Sequence, residues 1–492
     1  MLLPLLSGAY SSRSVIANAQ RCVNLYPEDN PHSPVPGTKT LGQTQPPVPV
    51  THYPRPGKKL LAIPPVQGIG RGLYRATNGN LYAVVGTTLY YVDINLVFHA
   101  LGNVTAGQTT PISFADNGMD VGNDIVVVDN TTNGWTINMT TNNMAALVDG
   151  TGTFVGATRV EYDGGFFVFN APGTPYFYSS LLNSVSFNAL DIASKSGYAD
   201  NVATLAMRQR EIWLIGQLTT EPWYLAGGAV FPFAPVASTF IPYGCVAPYS
   251  LASLDVSLCW LSQDLKGQGI AVMSSGYAVE RISTHALEQE WQSYATLADA
   301  IAGTYQLDGH TFYVLHFPTA NKSWAFDLAT RQWHQQAWLD NDGNLNRDRA
   351  TFYANAYGMV IAQDWQTGAL YQLDMDTFTD NGQPILCVRG FPHVLDEMNR
   401  ITHWRMVVDI QCGEVAQESY DPQLFMRYSD DRGRTFSDPL STTMGQTGQF
   451  DESPQFTRLG MCRDRVYELS WAENLKTALN GVYVDDSEES ET

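Results

Sequence analysis

Apolar residues along this chain fall into one recurring phrase: a short apolar strand, a polar turn of a few residues, and a second strand in which aromatic and polar positions alternate. "GNLYAVVGTTLYYVD" (79–93) is the clearest copy, repeated in "NDIVVVDNTTNGWTIN" (123–138), "GGFFVFNAPGTPYFYS" (164–179) and "GMVIAQDWQTGALYQLD" (358–374). Marking the first apolar strand of each copy gives Leu81, Ile125, Phe166, Ile212, Leu258, Phe312 and Met359, spaced by 41 to 54 residues. One propeller blade takes ~40 to 50 residues. Alternation with period two, as in Leu89-Tyr90-Tyr91-Val92, gives each blade two faces to bury, so a lone blade cannot stand and the units must stack and close. The pattern therefore predicts an all-β chain built on a β-propeller. Six blades are expected, the last hairpin completing the first by strand exchange, with seven as the other count.

One step is longer than the rest because "HALEQEWQSYATLADAIAG" (285–303) intervenes. Its Leu287, Trp291, Tyr294, Leu297, Ala298 and Ile301 fall at helical spacing, which predicts a short helix packed on the propeller. Residues 1–60 lack periodicity and are crowded with proline ("YPEDNPHSPVPG", "TQPPVPVTHYPRPG"), predicting an extended N-terminal arm whose removal leaves the propeller folded. The opening "MLLPLLSGAY" has an apolar run too short for a leader, broken by Pro4, and is expected to dock on another domain or a partner. The propeller is assigned to 61–384. Longer strands then follow ("HWRMVVDIQC", "RVYELSWAE"), an additional C-terminal β domain over 385–484, and the acidic "DDSEESET" (485–492) is expected to be disordered.

Composition narrows the function. Of 492 residues, 28 are Lys or Arg and 48 are Asp or Glu, a net charge of −20, so long-range forces repel a polyphosphate. The most basic spots, Lys58-Lys59 and Arg432 to Arg434, fall short of the aromatic and basic groove of a single-strand binder. Six cysteines without a CxxC spacing read as buried thiols rather than a metal or disulfide framework. No stretch approaches the 18 or so apolar residues of a membrane helix, so no membrane insertion is expected.

Candidate chemistry is sparse. "YSDDRGRTF" (Tyr428 to Phe436) has the form of an Asp-box, with Ser429, Asp431, Gly433 and Phe436 in place. Turn chemistry accounts for it: Asp431 can accept backbone amides ahead of it, and Gly433 can take the positive φ of a tight hairpin. A glycosidase would need two carboxylates across a scissile bond, and a sialidase an arginine cluster besides. "DNDGNLNRD" (Asp340 to Asp348) resembles a calcium loop but has Leu345 where the turn glycine belongs and Thr351 where the bidentate Glu belongs, so a solvated loop is expected. His310 and His316 share a strand face but are too far apart to hold a metal by themselves. "QGIGRG" (Gln67 to Gly72) has the wrong spacing for a dinucleotide loop and reads as turn glycines. Asp163, Glu211 and Asp255 lie beside blade strands without forming a recognisable pair. No catalytic, cofactor or metal site is expected.

Three stretches carry a family resemblance: "ANAQRCVNLYPE" (17–28), "GIGRGLYRATNGNLYAVVGTTLYYVD" (68–93) and the region from "ISTHALEQEW" (282–291) to "DLATRQWHQ" (327–335). With the C-terminal "RYSDDRGRTFSDP" (427–439), they resemble the packaged-DNA stabilisation proteins of short-tailed bacteriophages, also called tail hub or nozzle proteins. The resemblance implies a structural virion protein without enzymatic activity, located in the tail. It implies a homo-oligomeric ring of six copies below the portal adaptor ring, closing the DNA channel, bearing tailspikes or fibres and a needle or plug, and letting DNA pass without tight binding. The rival readings are a sialidase-like or glycan-binding propeller and a peripheral receptor-binding tail protein.

Overall fold

The structure is a computed structural model that describes Leu2, Leu3, Leu5 and residues 20–29, 50–195, 197–198, 200–228, 231–237, 239–397, 399–411, 420–446 and 448–487. Seven four-stranded antiparallel blades follow one another. Blades 1 to 6 span residues 70–103, 113–146, 160–194, 202–235, 252–281 and 301–339. Blade 7 has its first three strands at Ala350–Ala356, Met359–Asp364 and Leu370–Asp374, and its fourth, Gly57–Ala62, comes from the N-terminal segment. All seven sequence markers lie on the second strand of a blade. The count is thus seven, the second of the two expected. Strand exchange does occur, but the N-terminal segment completes the last blade, and no hairpin is left over to complete the first.

The ring closes where the inner strand of blade 7 meets Gly70–Arg75 of blade 1. Gly70 is required there by space: a Cβ would sit 2.4 Å from the Asp364 carbonyl oxygen. Gln363 spans the same seam, accepting from the Gly72 amide (3.2 Å) and donating to the Val84 carbonyl (3.0 Å). Gly70 and Gly72 of "QGIGRG" therefore lie on an inner strand where backbones approach closely, and none of the three glycines has positive φ, so the expected turn is not formed. The expected helix is present but short, His285–Trp291, with the Thr284 hydroxyl accepting from the Leu287 amide. Trp291 packs edge-on to Trp333 at 5.8 Å, while Ile301 already belongs to the next strand.

The C-terminal domain is a β-sandwich. Ile401–Gln411 lies between Gln455–Cys462 and Ala478–Ser487 in one sheet, and Asp464–Trp471 lies between Cys387–Gly390 and Gln423–Ser429 in the other. Alternate residues of Ile401–Gln411 (Met406, Val408 and Ile410) face the core between them. The strand Ala478–Ser487 includes the first three residues of the tail expected to be disordered, because it pairs along Ile401–Gln411; residues 488–492 lie outside the described residues.

The arm departs furthest from expectation. Leu25–Asp29 and Val50–Pro54 pair with each other and extend the first sandwich sheet. Cys22–Val23 pairs parallel to blade 6 at Gln335 and antiparallel to Cys387–Gly390, fusing blade 6 and the second sandwich sheet into one eleven-stranded sheet. Leu3 and Leu5 are buried in the shared core, and the Leu3 amide donates to the Val482 carbonyl (2.8 Å). Extended proline-containing backbone has few groups of its own to pair with, so it is stable where sheet edges offer partners. The arm is thus part of both domains rather than a free extension, through its pairing with the sandwich sheets and with blade 6. Gly70→Val is expected to destabilise the propeller by ~1–3 kcal/mol through overpacking at the seam, read as a lowered midpoint in urea unfolding.

Candidate functional site at the arm junction

The segment Arg55-Pro56-Gly57-Lys58 runs between blades 6 and 7 and the entry to the sandwich. Arg55 donates from Nη1 and Nη2 to the two oxygens of Asp380 at 3.0 and 2.5 Å. Lys58 Nζ lies 2.6 Å from Asp348 and 3.1 Å from Asp380. All four side chains are at most 4% exposed, so two cations and two anions cancel in the interior. Burial by itself would discharge Arg55, but Asp380 and Asp348 hold it charged with a raised pKa. Burial would likewise raise Asp348, but Lys58 and Arg55 keep it well below the usual carboxylate range.

Asn24 completes the junction. It adopts φ 57°, a left-handed conformation that Asn tolerates better than most residues. Its Oδ1 accepts from Arg55 Nε and the Ala337 amide, both at 2.8 Å, while Nδ2 donates to the Leu386 carbonyl (2.8 Å). One buried amide therefore joins the arm, blade 6 and the start of the sandwich.

Histidines surround this site. Tyr26 packs edge-on to His310 at 5.0 Å and lies 6.5 Å from His334. Burial pushes His334 down to about 4 and His316 to about 3, and it pushes His52 well below the ordinary imidazole value with help from Arg389 and His334. His310 moves the other way because its Nδ1 pairs with Asp327 at 2.8 Å. His316 instead pairs with Ser323 (2.9 Å), so the two histidines of that strand serve separate contacts. Among the described residues no group of three metal-ligating side chains converges.

The other candidates resolve into turns. Asp431 accepts from the Ser429 hydroxyl (2.7 Å), the Arg434 and Thr435 amides (3.0 and 2.8 Å) and the Thr435 hydroxyl (2.6 Å), which lowers its carboxyl. Gly433 has φ 83°, and Arg427 covers the Phe436 ring at 4.5 Å. Arg432 pairs with Asp464 at 3.2 Å. Asp340 spends its oxygens on the Asp342 and Asn344 amides (3.0 and 2.7 Å) and the Asn346 side chain (2.8 Å). Asp348, the last residue of that motif, is the one that matters, as a partner of Lys58. Asp163, Glu211 and Asp255 sit at the first hairpins of blades 3, 4 and 5 and are not brought together; Glu211 accepts from the Tyr277 hydroxyl. The propeller axis holds a cavity of about 260 Å³ walled by Tyr74, Phe114 and Tyr353, with Arg159 paired to Glu161 at 2.9 Å. Arg159 also donates to the Leu251 carbonyl (2.9 Å), so this cavity does not present the arginine cluster of a sialidase. The five described cysteines are buried and unpaired with one another, and Cys412 lies outside the described residues.

Sequence reading missed the junction because its members stand roughly 300 residues apart, although the cluster Arg55, Lys58 and Lys59 in a chain only 15% charged was a signal.

The propeller and the sandwich stitched to it both match one family, which makes the chain a bacteriophage structural protein of the virion tail. Residues 1–378 match the family model described as "Bacteriophage P22 Gp10, beta-propeller", and residues 388–485 match that described as "Bacteriophage P22 Gp10, beta-sandwich". The chain belongs to the bacteriophage P22 Gp10 family. No curated protein matches the sequence. Among solved structures, the chain is similar to the WD40 β-propeller domain of Doa1 at 10% identity and a TM-score of 0.38, over 64% of this chain and 97% of that one.

Asp380→Asn is expected to cost ~3–5 kcal/mol, because it strips Arg55 of its buried counter-charge, measured by urea unfolding. Stability should also fall as pH drops from 6.5 to about 4. In that window the unfolded histidines take up protons while buried His334 and His316 resist, so the unfolded state binds more protons. The loss attributable to His334 is on the order of 1–3 kcal/mol, and His334→Gln should flatten the slope of unfolding free energy against pH.

Proposed function

We propose that the chain is a subunit of the tail hub, or nozzle: a ring below the portal adaptor that closes the DNA channel after packaging, bears tailspikes or fibres and a plug, and conducts DNA during ejection. The observation that carries this reading is the match of both domains, in order, to one family of phage structural proteins. Three features support it. The sandwich is fused to blade 6 through a shared sheet, which suits a part that must bear load without hinging. The charge of −20 per chain, about −120 for six copies, favours passage of DNA over adhesion where carboxylates face a lumen. A low charged fraction with 25 Tyr and 11 Trp suits permanent contacts between subunits. The family implies a non-enzymatic role, in keeping with carboxylates spent on turns and ion pairs.

Cryo-electron microscopy of the virions tests the proposal. A ring of propellers below the portal is the expected result. Density for the chain only at the periphery, in threefold spikes, would replace the hub with a receptor-binding role.

A further inference from the structure

A second buried ion pair lies between blades 3 and 4, away from the arm junction. Lys195 follows the outer strand of blade 3, Asp200 precedes the inner strand of blade 4, and they are 4% and 7% exposed. Lys195 Nζ donates to Asp200 Oδ1 and to the Thr219 hydroxyl, which itself donates to Asp200 Oδ1 (3.2 Å). The other oxygen, Oδ2, accepts from the Leu218 and Thr219 amides (2.7 and 3.0 Å). Gly216 stands against the pair: a Cβ there would meet Asp200 Oδ2 and lie 2.7 Å from Lys195 Nζ, so only glycine lets the two groups approach as they do. Buried Glu221 holds the connection from its other side, accepting from the Gly197 amide (3.0 Å).

Among the described residues Lys58 and Lys195 are the buried lysines. Lys58 is divided between two carboxylates, whereas Lys195 meets one carboxylate whose far oxygen is fixed by two amides and whose near oxygen shares a hydroxyl with the amine. An amine, a carboxyl group and a hydroxyl between them, sequestered from water, are the parts of an amide-forming centre. Burial penalises separated charges, and transfer of one proton from Nζ to Oδ1 leaves a neutral amine against a carboxylic acid. The Nζ lone pair can then attack Asp200 Cγ. Negative charge developing on Oδ2 falls on the Leu218 and Thr219 amides, the arrangement of an oxyanion hole. Thr219 passes the second Nζ proton to Oδ1, which leaves as water. Holding the two groups together offsets the low reactivity of a carboxylic acid.

We propose that Lys195 and Asp200 form an isopeptide bond in the folded chain, with Thr219 as the proton relay. The Nζ–Cγ bond forms, the Cγ–Oδ1 bond breaks, and the ammonium and carboxylate become one amide and one water, with nothing oxidised or reduced. The link closes the connection from blade 3 to blade 4 into a covalent loop, which restricts that connection in the unfolded chain as a disulfide would. The inference is independent of the hub reading.

Intact-mass spectrometry of the full-length chain, followed by trypsin digestion, tests it. The chain should weigh one water less than its sequence requires. Trypsin, which needs a free lysine ammonium, should leave Lys195 uncut and release one peptide, Val160 to Arg208, that also lacks one water. Lys195→Arg, which has no amine to give, should restore the full mass. Thr219→Val removes the relay and should link about a hundredfold more slowly, followed by mass at intervals after synthesis. A wild-type chain at full mass overturns the proposal. So does loss of one water with Lys195 still cleaved, the signature of a succinimide between Asp200 and Asn201. A Thr219→Val chain that links as fast as wild type overturns the relay.

Discussion

The buried quartet of Arg55, Lys58, Asp348 and Asp380 is the interaction on which the rest of the molecule depends. Taking four ions out of water is expensive, and their mutual attraction offsets that cost only when geometry and hydrogen bonding are complete. Here they are nearly so: Arg55 also donates to the Pro56 and Ala337 carbonyls and to Asn24. Removing one member leaves the others charged in a medium that penalises charge. The quartet therefore also sets the register of Gly57–Ala62 on blade 7, since Lys58 reaches both carboxylates from its place opposite Leu373.

The same segment performs two closures. A propeller needs its last blade sealed to its first, and here the chain leaves blade 7 for the sandwich through Thr379–Asp380, which pairs with Gly57–Ala62, and Gln383–Pro384, which pairs with Thr379–Asp380. The C-terminal end of the propeller is thus committed to a new domain, and the fourth strand of blade 7 has to come from the N-terminal side. That places the arm beside the sandwich entry, where Cys22–Val23 can bridge blade 6 to Cys387–Gly390. Sealing the ring and attaching the second domain are one event in this topology.

What the sequence disclosed follows from how local each signal is. Blade hairpins were legible because period-two burial and a short turn lie within about 15 residues, and all seven markers reached their second strands. The Asp-box turn was legible for the same reason: the partners of Asp431 all lie between Ser429 and Thr435. The blade count was not, since the markers register hairpins and not outer strands, and Gly57–Ala62 sits among prolines that disguise a strand as a linker. Gly70 read as a turn residue because the Asp364 carbonyl that excludes a side chain is nearly 300 residues away. The junction failed on the same ground. Asp348 was noticed, but as part of a calcium-like loop, because its true partner lies in the arm.

The same pairing, long-range or local, accounts for where buried carboxylates of the propeller and its seam spend their oxygens. A catalytic carboxylate has to keep an oxygen available to substrate, whereas Asp380 gives both to Arg55 and Asp327 divides its own between His310, Thr330 and the Ala329 amide. The chain uses ionisable side chains to fix backbones that its few helices and short blade strands cannot fix alone. Asn24 and Arg55 tie the start of the sandwich to blade 6 and, through Asp380, to the strand that completes blade 7, so the described carboxylates at this junction act on backbone position rather than on a pocket.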